Sequence, residues 1–179
     1  MLANHQSFID PVLVATPVTR LCCFAARDTL FESKTFGKLL LSFNVVPIKR
    51  GEANFGAMKV FVDKLKYGFG MLLFPEGTRT LDGKIGKIKP GFGIIARKAG
   101  VPVIPVVIDG AYELWPKNRK FPRRGKTYVT YGKAIPPEHI KAIGDRDFAI
   151  ELGKIMRQMQ NELRIKVGKK PYDYGSDEI

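Results

Sequence analysis

The stretch Phe92-Gly93-Ile94-Ile95-Ala96-Arg97-Lys98-Ala99-Gly100-Val101-Pro102-Val103-Ile104-Pro105-Val106-Val107-Ile108 decides the fold class. Residues 92–98 read as a short helix that stops at Gly100, and residues 103–108 as an apolar strand directly behind it. Residues 101–108 read first as core sheet; prolines are unwelcome in central strands, so Pro102 and Pro105 add an edge, a bulge or a pocket wall as expectations here.

The same alternation continues on both sides. Upstream lie strand-like runs at 21–26, 45–48 and 70–74, a Gly-interrupted helix candidate at 36–43, and a helical pattern at 54–66 carrying Phe55, Met58, Phe61, Val62 and Leu65. Downstream, residues 127–131 read as a strand. From Asp145 to about Lys166, Phe148, Leu152, Ile155, Met156, Met159 and Leu163 share one helical face, and Gly168 ends the run. The expected fold is a single α/β domain over residues 1–167, with a partly parallel mixed sheet flanked by helices. Residues 168–179 are polar and expected to form a loose tail.

A chain of 179 residues can bury one substantial core, and 45% hydrophobic against 26% charged residues is a globular balance. Cys22 and Cys23 are neighbours, which suits two small buried hydrophobes better than a disulfide staple. With two histidines far apart and no CxxC pair, a zinc site is not expected. The net charge of +13 calls for an anionic partner without saying which: nucleic acid, an acidic protein, a phosphorylated substrate or a membrane surface. The longest apolar run, 101–108, is too short to span a bilayer, and the first residues lack the pattern of a signal peptide. A cytoplasmic or peripherally attached chain is expected.

Two segments carry chemistry. In Asn4-His5-Gln6-Ser7-Phe8-Ile9-Asp10, the carboxylate can hold the histidine's Nδ1–H, fix its tautomer and leave Nε2 as an outward base. That is the histidine–aspartate half of a hydrolytic triad, with a substrate hydroxyl free to take the nucleophile's place. Taken alone, the pair reads equally as a helix-capping histidine bonded to a nearby acid. In Phe74-Pro75-Glu76-Gly77-Thr78-Arg79, directly after a strand, Arg79 offers a fork for phosphate while Gly77 and the hydroxyls let backbone donors approach. The bland alternative is a turn with a solvated arginine. Arg50, at the end of another strand-like run, is a second candidate phosphate ligand.

Together, in order and spacing, these segments resemble the glycerolipid acyltransferase family typified by lysophosphatidate (1-acylglycerol-3-phosphate) acyltransferase. The matching blocks are 4–10, the segment ending at Arg50, 74–79 and 101–105. The resemblance implies a glycerol-3-phosphate acyltransferase-like fold in which His5 is the general base and Asp10 orients it. It further implies that Arg79 binds the acceptor's phosphate with Glu76, Gly77 and Thr78, that Arg50 assists, and that Pro105 belongs to the acyl-donor side. The implied reaction moves a fatty acyl group from acyl-CoA or acyl-carrier protein to lysophosphatidate, with no metal or redox cofactor. Another lysophospholipid acceptor is an alternative, as is a non-enzymatic basic module that binds membranes or nucleic acid. The implied partners are lipid and thioester substrates, an anionic membrane surface on the cytoplasmic side and acyl-carrier protein, with no nucleic acid expected. Ser7 lacks a G-x-S-x-G elbow, so it is not expected to act as nucleophile.

Residues 115–126 form the densest basic stretch, with Trp115 and Phe121 interleaved, and suit anionic headgroups, an acidic carrier protein or CoA phosphates. Family members carry apolar membrane helices and a core strand ahead of the first block, whereas here only Met1-Leu2-Ala3 precede Asn4. An open sheet edge beside His5 is therefore expected.

Overall fold

The computed structural model describes residues 1–48 and 55–175. Six strands are present among them: β1 (Leu2–Ala3), β2 (Cys22–Arg27), β3 (Val45–Ile48), β4 (Gly70–Leu72), β5 (Pro105–Asp109) and β6 (Tyr128–Tyr131). The helices are α1 (Asp10–Ala15), α2 (Lys34–Ser42), α3 (Phe55–Lys66), α4 (Gly91–Ala99), α5 (Ala111–Leu114), α6 (Pro137–Ile143) and α7 (Asp145–Lys166).

The strands pair as two three-stranded groups, β3-β2-β4 and β1-β5-β6. Leu73 joins the groups: it bridges Leu2 in parallel, accepts the N–H of Ala3 at 3.0 Å and donates to the carbonyl of Met1 at 3.1 Å. The result is one mixed sheet in which only β6 runs antiparallel to its neighbour. This agrees with the α/β expectation. Side chains alternate between faces as a pleated sheet requires. Leu2, Met71, Leu73 and Val107 face a core built with α3, α4, α6 and α7. Ala3, Leu72, Val106 and Ile108 face a smaller one with Val14 of α1 and Ala111 of α5.

Two sheet expectations are corrected. Strand β1 lies between Leu73 and β5, so no open edge stands beside His5; the two residues ahead of Asn4 supply the strand themselves. Their shortness hides any period-2 pattern. Strand β5 is likewise interior, with all five residues buried, which bears out the core-sheet reading and corrects only the edge that its prolines suggested. Pro105 is tolerated there because it is the strand's first residue, where its carbonyl accepts the N–H of Gly132 at 2.8 Å.

The long helix α7 follows its apolar stripe closely: Phe148, Leu152 and Met156 are 1%, 0% and 0% exposed. Each such side chain contributes about 1.5–3 kcal/mol when fully buried. Gly168, at φ +75°, closes the helix by donating to Ile165, and Lys169 N–H reaches back to the Arg164 carbonyl at 2.8 Å.

The loose tail is a third correction. Through residue 175 the chain is pinned to the domain. The Tyr174 ring is buried, and its hydroxyl accepts the N–H of Ile85 at 2.9 Å and donates to Gln160. Tyr172 N–H donates to Asn161 Oδ1, and Lys84 Nζ donates to the Asp173 carbonyl. Two aromatics spaced by one residue are enough to dock an otherwise polar segment.

Candidate active site

Strands β1, β2, β4 and β5 are parallel, so the loops leaving their C-terminal ends share one edge of the sheet. In α/β sheets that edge is where ligands bind. Asn4 acts as a backbone substitute there: its side chain donates to the Ile108 carbonyl at 2.9 Å and accepts the Ile108 N–H at 2.7 Å, extending the β1–β5 pairing. Gln6, wholly buried, donates to the Gly83 carbonyl and accepts the N–H groups of Ala111 and Tyr112. These two amides fix the backbone on either side of His5.

His5 Nδ1 lies 2.7 Å from Asp10 Oδ2. The same oxygen accepts the N–H groups of Gln6 at 2.6 Å and Ser7 at 2.7 Å. Asp10 is fully buried as the first residue of α1, so one carboxylate oxygen both caps the turn and orients the imidazole. The His5 ring stacks on Phe74 at 4.1 Å between centroids, and Nε2 has no partner among the described residues. The histidine does not cap α1, whose N-cap is Ile9 without a side-chain bond; the acid shapes the turn and leaves the other ring nitrogen open. Ser7 Oγ is committed elsewhere, donating to the Trp115 carbonyl at 2.8 Å.

The 74–79 loop leaves the sheet beside this pair. Glu76 Oε1 accepts the His5 N–H at 2.8 Å and Oε2 accepts the Gly86 N–H at 2.8 Å, while Thr80 N–H donates to the His5 carbonyl at 2.8 Å. Burial pushes the Glu76 carboxyl up to about 7, against the pull of those two amides. Both of its oxygens are turned to backbone, so its geometry is that of a positioning residue and not of a phosphate ligand. Gly77 adopts φ +72°, and a side chain there would collide with Lys89. Thr78 is exposed.

The Arg79 guanidinium lies 4.0 Å over the Phe8 ring, and its Nη1 is buried without a hydrogen-bond partner among the described residues. Burial lowers its proton affinity; Asp10 opposes that, and the charge of Arg27 adds to it. Arg27 ends β2, and sequence reasoning passed over it. The signal existed: a cation directly after a strand run, the criterion that singled out Arg50. Arg50 itself lies outside the described residues. Pro105, buried at the start of β5, is at the opposite end of its strand from this edge. A cleft of about 720 Å³ borders Thr78 and Arg79 and is lined further by Lys84, Lys87 and Lys89, but does not include His5.

A histidine–aspartate dyad with an open Nε2 thus stands at the C-terminal edge of a parallel sheet, with the Arg79 guanidinium within electrostatic reach of Asp10. The profile of the Acyltransferase family matches residues 1–109. The chloroplastic 1-acyl-sn-glycerol-3-phosphate acyltransferase BAT2 of Brassica napus is 32% identical over 64% of this chain and 34% of its own length. The 1-acyl-sn-glycerol-3-phosphate acyltransferase of Pseudomonas aeruginosa is 31% identical over 83% of this chain and 57% of its own. The crystal structure of the LPA acyltransferase PlsC from Thermotoga maritima superposes with a TM-score of 0.79 at 31% identity, covering 91% of this chain and 65% of that one. The chain belongs to the Acyltransferase family. It spans between about a third and two thirds of the length of these relatives.

Proposed function

We propose that the chain transfers a fatty acyl group from an acyl thioester to the free hydroxyl of lysophosphatidate, yielding phosphatidate. The observation that carries this reading is His5, oriented by Asp10 at 2.7 Å with Nε2 open, beside the Arg79 guanidinium. His5 Nε2 takes the proton of the acceptor hydroxyl as its oxygen attacks the thioester carbonyl, and Asp10 stabilises the imidazolium that forms. The tetrahedral intermediate collapses, the C–S bond breaks, and His5 returns the proton to the departing sulfur. A thiol of pKa about 8.5 is an easy leaving group, so no acyl-enzyme and no metal or redox cofactor are called for.

Arg79, whose Nη1 is buried without a partner among the described residues, binds the acceptor's phosphate, and Arg27, whose charge acts on it, assists. Fixing that phosphate fixes where the hydroxyl meets His5. Glu76 holds the histidine's backbone. Gly77 and Thr78 shape the loop, and Arg50 is a further ligand by resemblance. Pro105 supports the acyl-donor side through the strand it begins. The chain acts peripherally at the cytoplasmic face of a membrane, with acyl-CoA or acyl-carrier protein as donor.

The test supplies purified protein with lysophosphatidate and either acyl-CoA or acyl-carrier protein, following free thiol and diacyl product. Wild type transfers from at least one donor and His5→Ala falls to background. Equal rates in the two proteins would sink the assignment.

A further inference from the structure

The segment between α5 and β6 is unlike the rest of the surface. Residues 117–126 hold Lys117, Arg119, Lys120, Arg123, Arg124 and Lys126 and no acidic residue. None of these six cations pairs with a carboxylate among the described residues, and all but the half-buried Arg119 are exposed. The loop is nonetheless tied down at its base. Trp115 Nε1 donates to the Arg119 carbonyl at 3.0 Å, Arg123 N–H to the Leu114 carbonyl at 2.8 Å, and Ser7 Oγ to the Trp115 carbonyl. At its outer part Phe121 stands 67% exposed with Lys120 Nζ 5.6 Å from its ring.

The same region borders the site. The Phe8 ring is 60% exposed and lies between Arg79, at 4.0 Å, and the Trp115 ring, at 5.9 Å. One helical turn on, Val12 of α1 is 66% exposed. Unpaired cations interleaved with exposed apolar side chains match the two layers of a lipid interface, phosphate outside and acyl chain beneath. An acidic protein or nucleic acid would use the charges and leave Phe121, Phe8 and Val12 in water.

We propose that the 115–126 loop, together with Phe8 and Val12, is the surface by which this chain docks on an anionic lipid bilayer, seating the His5 site at the headgroup layer. The inference builds on the lipid-acceptor reading above and names the surface that would present the acceptor. The charges hold the loop to anionic headgroups, and Phe121 and Phe8 enter the interface beside Arg79.

Sedimentation of the 179-residue chain with vesicles tests this directly and needs no turnover. Wild type is expected to pellet with phosphatidylcholine vesicles containing phosphatidylglycerol, and far less with phosphatidylcholine alone. Arg123→Gln with Arg124→Gln should lower partitioning by about tenfold or more. Phe121→Ser should lose the part of the binding that survives high salt. Melting curves matching wild type show that both variants are folded. Activity adds a second readout: both variants keep wild-type turnover on detergent-dispersed lysophosphatidate and lose it on vesicle-embedded acceptor. Binding without any transfer would overturn the acceptor reading and leave the docking surface standing. Equal partitioning of wild type and variants would overturn the docking surface, as would capture by acidic carrier protein or nucleic acid with no vesicle binding.

Discussion

Glu76 and His5 are joined carboxylate to backbone: Oε1 of the buried acid receives the histidine's N–H at 2.8 Å. The imidazole therefore stands on a main chain held by a second ionisable group. Burial raises the Glu76 carboxyl from 4.5 to about 7, so the folded chain holds that proton more tightly than the unfolded chain. Stability from this group is complete below 4.5 and is lost as pH rises to about 7. A shift of this size is on the order of 3 kcal/mol. Wild type should lose more melting temperature between pH 5 and pH 7.5 than Glu76→Gln, whose side chain does not titrate. Parallel losses would remove Glu76 from this titration.

Asp10→Asn keeps an oxygen for the three donors around Oδ2 but removes the charge that favours imidazolium. The variant should fold and lose about 10²–10⁴-fold in kcat, the range of one well-placed proton transfer. Steady-state kinetics at saturating acceptor measure this. An unchanged kcat would reduce Asp10 to a residue that shapes the turn ahead of α1.

For Arg79→Lys the point charge stays and the planar fork goes. The expected result is a KM for lysophosphatidate raised about tenfold or more with kcat changed much less, and Arg27→Ala should move the same constant. If the donor's KM rises instead, the pair binds the thioester carrier and not the acceptor.

Tyr174→Ala removes a buried ring and the acceptor of the Ile85 N–H. A loss of about 3–5 kcal/mol is expected from denaturant unfolding, as for other large-to-small core changes. A loss within the range of a surface substitution would restore the picture of a loose tail.

What could be read from the chain beforehand follows from distance along it. The α7 stripe was legible because one helix carries its own period, and its bounds matched to the residue. His5 and Asp10 were legible because they are only five positions apart. Arg27 carried the same strand-end signal as Arg50, but its neighbourhood with Arg79 was not legible, since sheet order alone brings β2 beside the strand that leads to Arg79. The roles of Asn4 and Gln6 were hidden in the same way, their partners being 104 and 77 positions away. Helix α6, opened by Pro137 and only seven residues long, offers too few turns for a pattern.

The two-residue strand β1 has one more consequence, for the order of assembly. Leu2 and Ala3 take their places only between Leu73 and the Pro105–Val106 pair. A ribosome must therefore release the chain through the fifth strand before Leu2 and Ala3 can be seated. His5 is synthesised well before the strand whose Ile108 fixes the neighbouring Asn4. Until the fifth strand has emerged, that histidine lacks the framework that orients it.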